Sequence, residues 1–396
     1  MATLLSVDEA RRLILERVTP LPSEAVPLAE AAGRVLAEDA RATVDLPPFP
    51  SSAMDGFALR AADAPGRLPV VARIAAGHPA PRPLAPGEAM AIATGGVVPE
   101  GADAVVPIEV VTDEGEAVEV PSVESGTHVR PLGGDLARGD VVVEAGTVLR
   151  PAELAALAAV GIAEVACARR PRAAVVTTGS ELRRPGESLA AGQIFESNGV
   201  MLAAALASAG AVVEPQVSVA DDETEHRDAL ERGLDANVLV TSGGVSVGPH
   251  DLVRRIEHEL GVEEVFWRVA VKPGKPISFG VRGSALVFGL PGNPVSSLVG
   301  ALVFVRPALL ARQGVASPKP SYLRARVTSA LRRNPHRDEF VRATRTAAAD
   351  GFDLAPIIGQ ESHMIVRAAA ADALIHVPRG EGETQPGEMV RFLPLD

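Results

Sequence analysis

A chain of 396 residues with 47% hydrophobic and 22% charged side chains has the composition of a soluble globular protein and the length for two to four domains. Its formal net charge of −12 and its 3% aromatic content argue against general nucleic-acid binding, which needs a basic face or a stacking platform. A single cysteine, Cys167, excludes an internal disulfide framework and a cysteine-built zinc cluster.

The text Ser6-Val7-Asp8-Glu9 is a capping box, and apolar spacing at Val7, Ala10, Ile14 and Val18 predicts an amphipathic helix to about residue 18. Arg11, Arg12, Glu16 and Arg17 interrupt it, so it does not read as a signal peptide. Residues 28–36 carry helical character. The proline-rich text of 44–50 cannot be helix interior, because proline lacks the donor and clashes with the preceding turn, so it reads as a linker. Residues 51–127 alternate short Val/Ile/Ala-rich strands with Pro/Gly turns and predict a β-rich, barrel-like second domain. A strand is expected at 141–143. A helix follows from Pro151, with proline at its first position and Gly161 just past its end.

From 172 to about 312 the rhythm becomes strand, loop, helix. Strands are expected at 173–177, 212–219, 238–241 and 284–290, with helices at 198–208, 224–233, 250–260 and 295–312. That alternation predicts a three-layer α/β domain, a parallel sheet with helices on both faces. The apolar run 298–305 is among the longest and falls short of the ~20 residues of a membrane span. After Pro318-Lys319-Pro320 the pattern returns to period two, which predicts a small C-terminal β domain. The chain reads as cytoplasmic, with neither a membrane nor a nucleic acid as partner.

Only three lysines occur, and two stand three positions apart in Lys272-Pro273-Gly274-Lys275-Pro276. The remaining cations are arginine, so a bland surface charge would have followed the background. A compact ammonium in such a chain suits a small anion, phosphate first.

Three loops leave buried-looking strands: Thr178-Gly179-Ser180-Glu181-Leu182, the 241–248 loop containing Ser242, Gly243, Gly244 and Ser246, and Leu290-Pro291-Gly292-Asn293-Pro294. In an open parallel sheet the carboxyl ends of the strands form the ligand crevice, so these loops should converge there. Glycine admits a ligand close to the backbone, and helix starts offer N–H groups to phosphate oxygens. The P-loop and dinucleotide fingerprints are missing, and neither Ser242 nor Ser296 stands in a G-x-S-x-G elbow. Asp55, Asp135, Glu181, Asp221, Asp222 and Asp251 sit beside turn residues. Singly each reads as a cap or turn residue; together they could hold a hard cation such as Mg²⁺ beside a phosphate. His78, His250 and His363 stand alone and read as turn or surface residues.

In one order, Ser52-Ala53-Met54-Asp55-Gly56, Thr94-Gly95, Pro99-Glu100-Gly101-Ala102-Asp103, Thr178-Gly179-Ser180-Glu181-Leu182, the 242–251 stretch, Lys272-Pro273-Gly274-Lys275-Pro276 and Gly289-Leu290-Pro291-Gly292-Asn293-Pro294 resemble the molybdopterin molybdenumtransferases, the MoeA family, akin to the C-terminal domain of gephyrin. The resemblance implies an elongated homodimer of four-domain subunits. A dimer-forming N-terminal domain would take 1–50 and 128–170, with a β-rich domain at 51–127, a molybdopterin-binding domain at 171–317 and a barrel-like domain at 318–396. It also implies insertion of molybdate into adenylated molybdopterin with release of AMP and a divalent cation, Mg²⁺ or another. Asp55, Thr94, Asp135, Glu181, Asp251, Lys272 and Lys275 would line the site, with one of Asp221 and Asp222, and Ser362 on a looser match. Asp55, Asp251 and Glu181 would be metal candidates, and the Gly243-Gly244 and Pro291-Gly292-Asn293 loops would cradle the pterin phosphate. Phe57 departs from the tyrosine the family often carries. The adenylyltransferase that supplies the substrate and the proteins that mature molybdoenzymes are further partner candidates. An adenylyltransferase sharing the α/β domain and a gephyrin-like scaffold are the competing functions; the 51–127 module argues against the first.

Overall fold

The structure is a computed structural model that describes residues 4–244 and 252–395. The capping box forms as read: the Ser6 backbone N–H donates to Glu9 Oε2 at 2.8 Å and the Glu9 N–H donates to Ser6 Oγ at 3.2 Å, opening the helix Val7–Leu15. Its apolar face does not serve an N-terminal core. Val7, Ala10 and Ile14 pack with Val175, Phe288 and Phe304 of the α/β domain.

Residues 28–36 are not a helix. A single tight turn at Leu28–Glu30 ends quickly, Gly33 takes φ +72°, and Val35 and Leu36 bridge to Val148 and Cys167. Left-handed backbone at Gly33 stops helix propagation, and the apolar side chains serve extended pairing instead. The segments flanking the middle module pair with each other: Ser23–Pro27 runs antiparallel to Glu164–Ala168, and Ala40–Arg41 to Val141–Val143.

The middle module is a curled six-stranded sheet, open at both edges, ordered Ala104–Pro107, Gly56–Leu59, Ala89–Ile92, Gly66–Ile74, Ala117–Val120, Thr112–Asp113. Alternation sends Phe57 and Leu59 to one core and Ala58 to the other, so both faces are covered. Phe57 is buried, which accounts for a ring without a hydroxyl there.

The α/β domain carries a seven-stranded sheet. Val212–Val213, Arg172–Thr178, Val238–Ser242 and Ala285–Leu290 lie in that order and run parallel; Ser278–Arg282 is antiparallel beside them, and Glu263–Trp267 closes the edge. The expected strand 212–219 is two pieces, because Pro215 interrupts it before Val217–Val219 pairs with Arg172–Thr178. Helices Asn198–Ser208, Glu223–Gly233, Leu252–Glu259 and Pro294–Arg312 cover the faces. The last is 19 residues long and apolar enough to cross a membrane by length and composition, longer than the run singled out above, but it is mostly buried in the core. A wide π-type turn at Ala301–Val305 carries it past Pro307, which has no N–H to donate.

The C-terminal part is a closed five-stranded barrel of Leu323–Val327, Asp338–Ala348, Gly351–Pro356, Ala373–Val377 and Met389–Pro394. The short strand Val271–Lys272 leaves the α/β domain and adds in parallel to the barrel strand Asp338–Ala348. That weld sets the position of the two lysines.

Candidate functional site

The strand ends converge as the loop pattern requires. A cavity of about 640 Å³ lies over the carboxyl ends of Arg172–Thr178, Val238–Ser242 and Ala285–Leu290, lined by Thr177, Glu181, Ser242, Gly244, Gly292 and Asn293 among others. Ser242 is buried and works as a hub. Its Oγ accepts from Asn198 Nδ2 at 3.0 Å and lies 3.2 Å from Ser297 Oγ, while Ser297 donates to the Pro291 carbonyl. Asn198 Nδ2 also donates to the Gly292 carbonyl at 2.7 Å. Two loops and a helix start are thus tied together. Gly243 is required by sterics: φ is +100°, and a Cβ there would lie 2.6 Å from Thr178 Oγ1. The first residues of Asn198–Ser208 and Pro294–Gly300 border the cavity; the Gly199 N–H donates to Glu196 Oε1 at 2.8 Å and the Val295 N–H to the Ser362 carbonyl at 3.0 Å. The dipoles of the two helices give the cleft partial positive charge, set against the carboxylate of Glu196.

A second cavity of about 370 Å³ adjoins it, sharing Pro276, Pro291 and Asn293. Lys272, Lys275, Ser296, Arg337, Glu339 and Ser362 line it. The lysines are not equivalent. Lys272 Nζ donates to both carboxylate oxygens of Glu339, at 3.1 and 3.3 Å, whereas Lys275 is exposed and has no ion pair among the described residues. Ser362 is fixed through its backbone: its carbonyl accepts from the Val295 N–H at 3.0 Å, joining the barrel to the helix start.

Behind Ser362 lies Arg342, only 1% exposed, donating to the carbonyls of Gly359 at 2.8 Å, Met364 at 2.8 Å and Glu361 at 3.2 Å. Burial pushes its pKa below the usual arginine value, and a nearby Glu361 opposes that. Five donors in one plane let a single side chain hold a whole loop.

The remaining expected residues are scattered. Asp221 accepts from the Ser180 N–H at 3.3 Å and hydroxyl at 2.9 Å, steadying the loop that carries Glu181. Asp222 instead caps the helix Glu223–Gly233, accepting from the Thr224 and Glu225 N–H groups. Asp55 accepts from the Thr94 N–H at 2.8 Å, and Asp135 is held through its own N–H to the Leu46 carbonyl. Asp55, Thr94 and Asp135 line neither cavity. Ser246 and Asp251 lie outside the described residues. Among the described residues no three His, Cys, Asp or Glu side chains gather as a metal cage; Asp251, one of the three expected ligands, lies outside them. Asn198, Glu196 and Arg342 carry no motif and were not anticipated; His363, read as a surface residue, borders the first cavity.

Fold and cleft together define a multidomain α/β protein with a strand-end crevice adjoining a lysine-bearing pocket. The family models described as "MoeA N-terminal region (domain I and II)", "Probable molybdopterin binding domain" and "MoeA C-terminal region (domain IV)" match residues 5–161, 174–311 and 324–395. Molybdopterin molybdenumtransferase 2 of Mycobacterium tuberculosis is 36% identical over 407 residues, covering 98% of this chain and 99% of that one. A molybdopterin molybdenumtransferase of Haemophilus influenzae is 34% identical over 401 residues, covering 99% of each. The crystal structure of the molybdopterin biosynthesis MoeA protein from Pyrococcus horikoshii OT3 superposes with a TM-score of 0.85 at 29% identity, over 99% of this chain and 100% of that one. The chain belongs to the MoeA family of molybdopterin molybdenumtransferases. Its place is in molybdenum cofactor biosynthesis, and its enzyme class is transferase.

Proposed function

We propose that the two adjoining cavities divide the substrates of molybdate insertion. Adenylated molybdopterin takes the strand-end cleft, with its phosphate against the Gly243-Gly244 and Pro291-Gly292-Asn293 loops. Molybdate takes the lysine pocket. The observation that carries this reading is the shared wall of Pro276, Pro291 and Asn293 between a cleft lined by helix N-termini and a pocket holding a lysine that has no carboxylate partner among the described residues. Molybdate is the substrate: a molybdate oxygen or water attacks the activated phosphate, the phosphoanhydride bond breaks and AMP leaves, while the dithiolene sulfurs replace oxygens on molybdenum that depart as water. No protein nucleophile is needed. Lys275 neutralises the oxyanion, Glu181 borders the cleft, and the loops orient the activated phosphate, so catalysis is positioning plus electrostatic stabilisation. The described residues do not cage a Mg²⁺ ion.

Asp55, Thr94 and Asp135 enter this scheme only if a second copy of the chain brings its middle sheet to the cleft, and we propose that homodimer. Mixing Asp55→Asn and Lys275→Ala chains tests it. If the site is shared between subunits, an equal mixture recovers roughly a quarter of wild-type molybdate-dependent AMP release, since half the dimers are mixed and each mixed dimer has one intact site. Activity no higher than that of the separate variants would place the site within one chain.

A further inference from the structure

The strand register that joins the α/β domain to the barrel sets Lys272 directly opposite Glu339. Asn334 Nδ2 also donates to Glu339 Oε1, at 3.1 Å. The Glu339 side chain is 16% exposed and the Lys272 side chain 51%. The carboxylate is therefore the shielded, fixed member of the pair and the ammonium the wet, movable one. Both line the cavity with Lys275, Arg337 and Glu361. A carboxylate in a pocket for oxyanions repels the ligand and occupies one of its cations.

We propose that Glu339 is an internal competitor for Lys272. It holds the ammonium while the pocket is empty, yields it when an oxyanion enters, and takes it back as the oxyanion leaves. Glu339 thereby limits how tightly small oxyanions rest in the pocket and keeps it from filling with unreactive ones such as sulfate. Exchange is cheap, because a half-exposed ion pair of this kind is worth only about a fivefold factor. The inference rests on the lysine pocket being the oxyanion's, and names the residue that sets its affinity by acting through Lys272.

The test is calorimetric titration of the full chain with molybdate, repeated with sulfate. Glu339→Gln should bind either oxyanion about tenfold more tightly than wild type. In turnover the variant's KM for molybdate should fall without a matching rise in kcat, a split that mere loosening of the barrel would not produce. In a Lys272→Ala background the same substitution should change affinity less than about threefold, because the contested cation is gone. Equal or weaker oxyanion binding by Glu339→Gln, with Lys275→Ala still abolishing wild-type binding, overturns the competitor role alone. Wild type that binds no molybdate, or binds it as well as Lys275→Ala does, overturns the pocket assignment and this inference with it. Should the glutamine variant not fold, Glu339→Ala is read against the same outcomes.

Discussion

Arg342→Met removes the guanidinium that holds the 359–364 loop and keeps much of its apolar volume. Three carbonyls, those of Gly359, Glu361 and Met364, lose a charged donor at 2.8 to 3.2 Å. Hydrogen bonds from a charged group are worth about 1.5–3 kcal/mol each, but relief of the buried charge returns part of that. The expected net loss is about 3–5 kcal/mol. Because the chain has several domains, a single melting temperature would mix transitions, so amide hydrogen exchange in the barrel is the better assay. A loss of 3 kcal/mol corresponds to roughly a hundredfold loss of protection. It should centre on the barrel strands and on the Val295 N–H, which donates to Ser362. Arg342→Lys should recover little, since one ammonium cannot span three carbonyls. Protection within about threefold of wild type in Arg342→Met would refute the claim that this side chain organises the loop.

The two lysines should separate in kinetics. Lys275→Ala, which removes the cation that has no ion pair among the described residues, should cut molybdate-dependent turnover about a hundredfold; Lys272→Ala should cost nearer tenfold. Equal losses would contradict the asymmetry. Asp222→Ala should cost about 1 kcal/mol in denaturant unfolding through the lost helix cap while leaving kcat close to wild type. Asp221→Ala should lower kcat instead, by freeing Ser180 and the loop beside it. Burial alone would raise the Asp338 carboxyl, but the His376 ring 3.8 Å away, the Arg379 N–H donating at 2.8 Å and the nearby charges outweigh it and hold the pKa below the ordinary 3.8. A depressed carboxylate adds stability that is present above its unfolded pKa and lost as pH falls through its folded value. Barrel protection should therefore decline below about pH 3.8, and Asp338→Asn should flatten that decline.

Much of the α/β domain was legible because its strands are short apolar runs bounded by glycine loops and its helices keep their period. The helix Asn198–Ser208 coincides with its reading, and Ala285–Leu290 begins one residue late. Glu263–Trp267 and Ser278–Arg282 were not read, since the intervening lysine segment breaks the alternation that would announce a strand pair. Residues 28–36 misled because apolar side chains at helical spacing also suit isolated bridges once Gly33 turns the chain. The lysine pair drew notice by composition, but its asymmetry was invisible: Glu339 lies 67 residues beyond Lys272, and only the barrel's register brings them together. Arg342 is hidden for the same reason. Nothing local marks an arginine whose partners are carbonyls of a loop 17 to 22 residues away.

On the proposed function, the cleft activates a phosphate for a molybdate held beside it. The direct measurement is AMP release from adenylated molybdopterin by the purified chain, with and without molybdate. Release should require molybdate, leave molybdenum bound to the dithiolene, and fall about a hundredfold in Lys275→Ala. Release that is indifferent to molybdate, or undiminished in that variant, would contradict the proposed function.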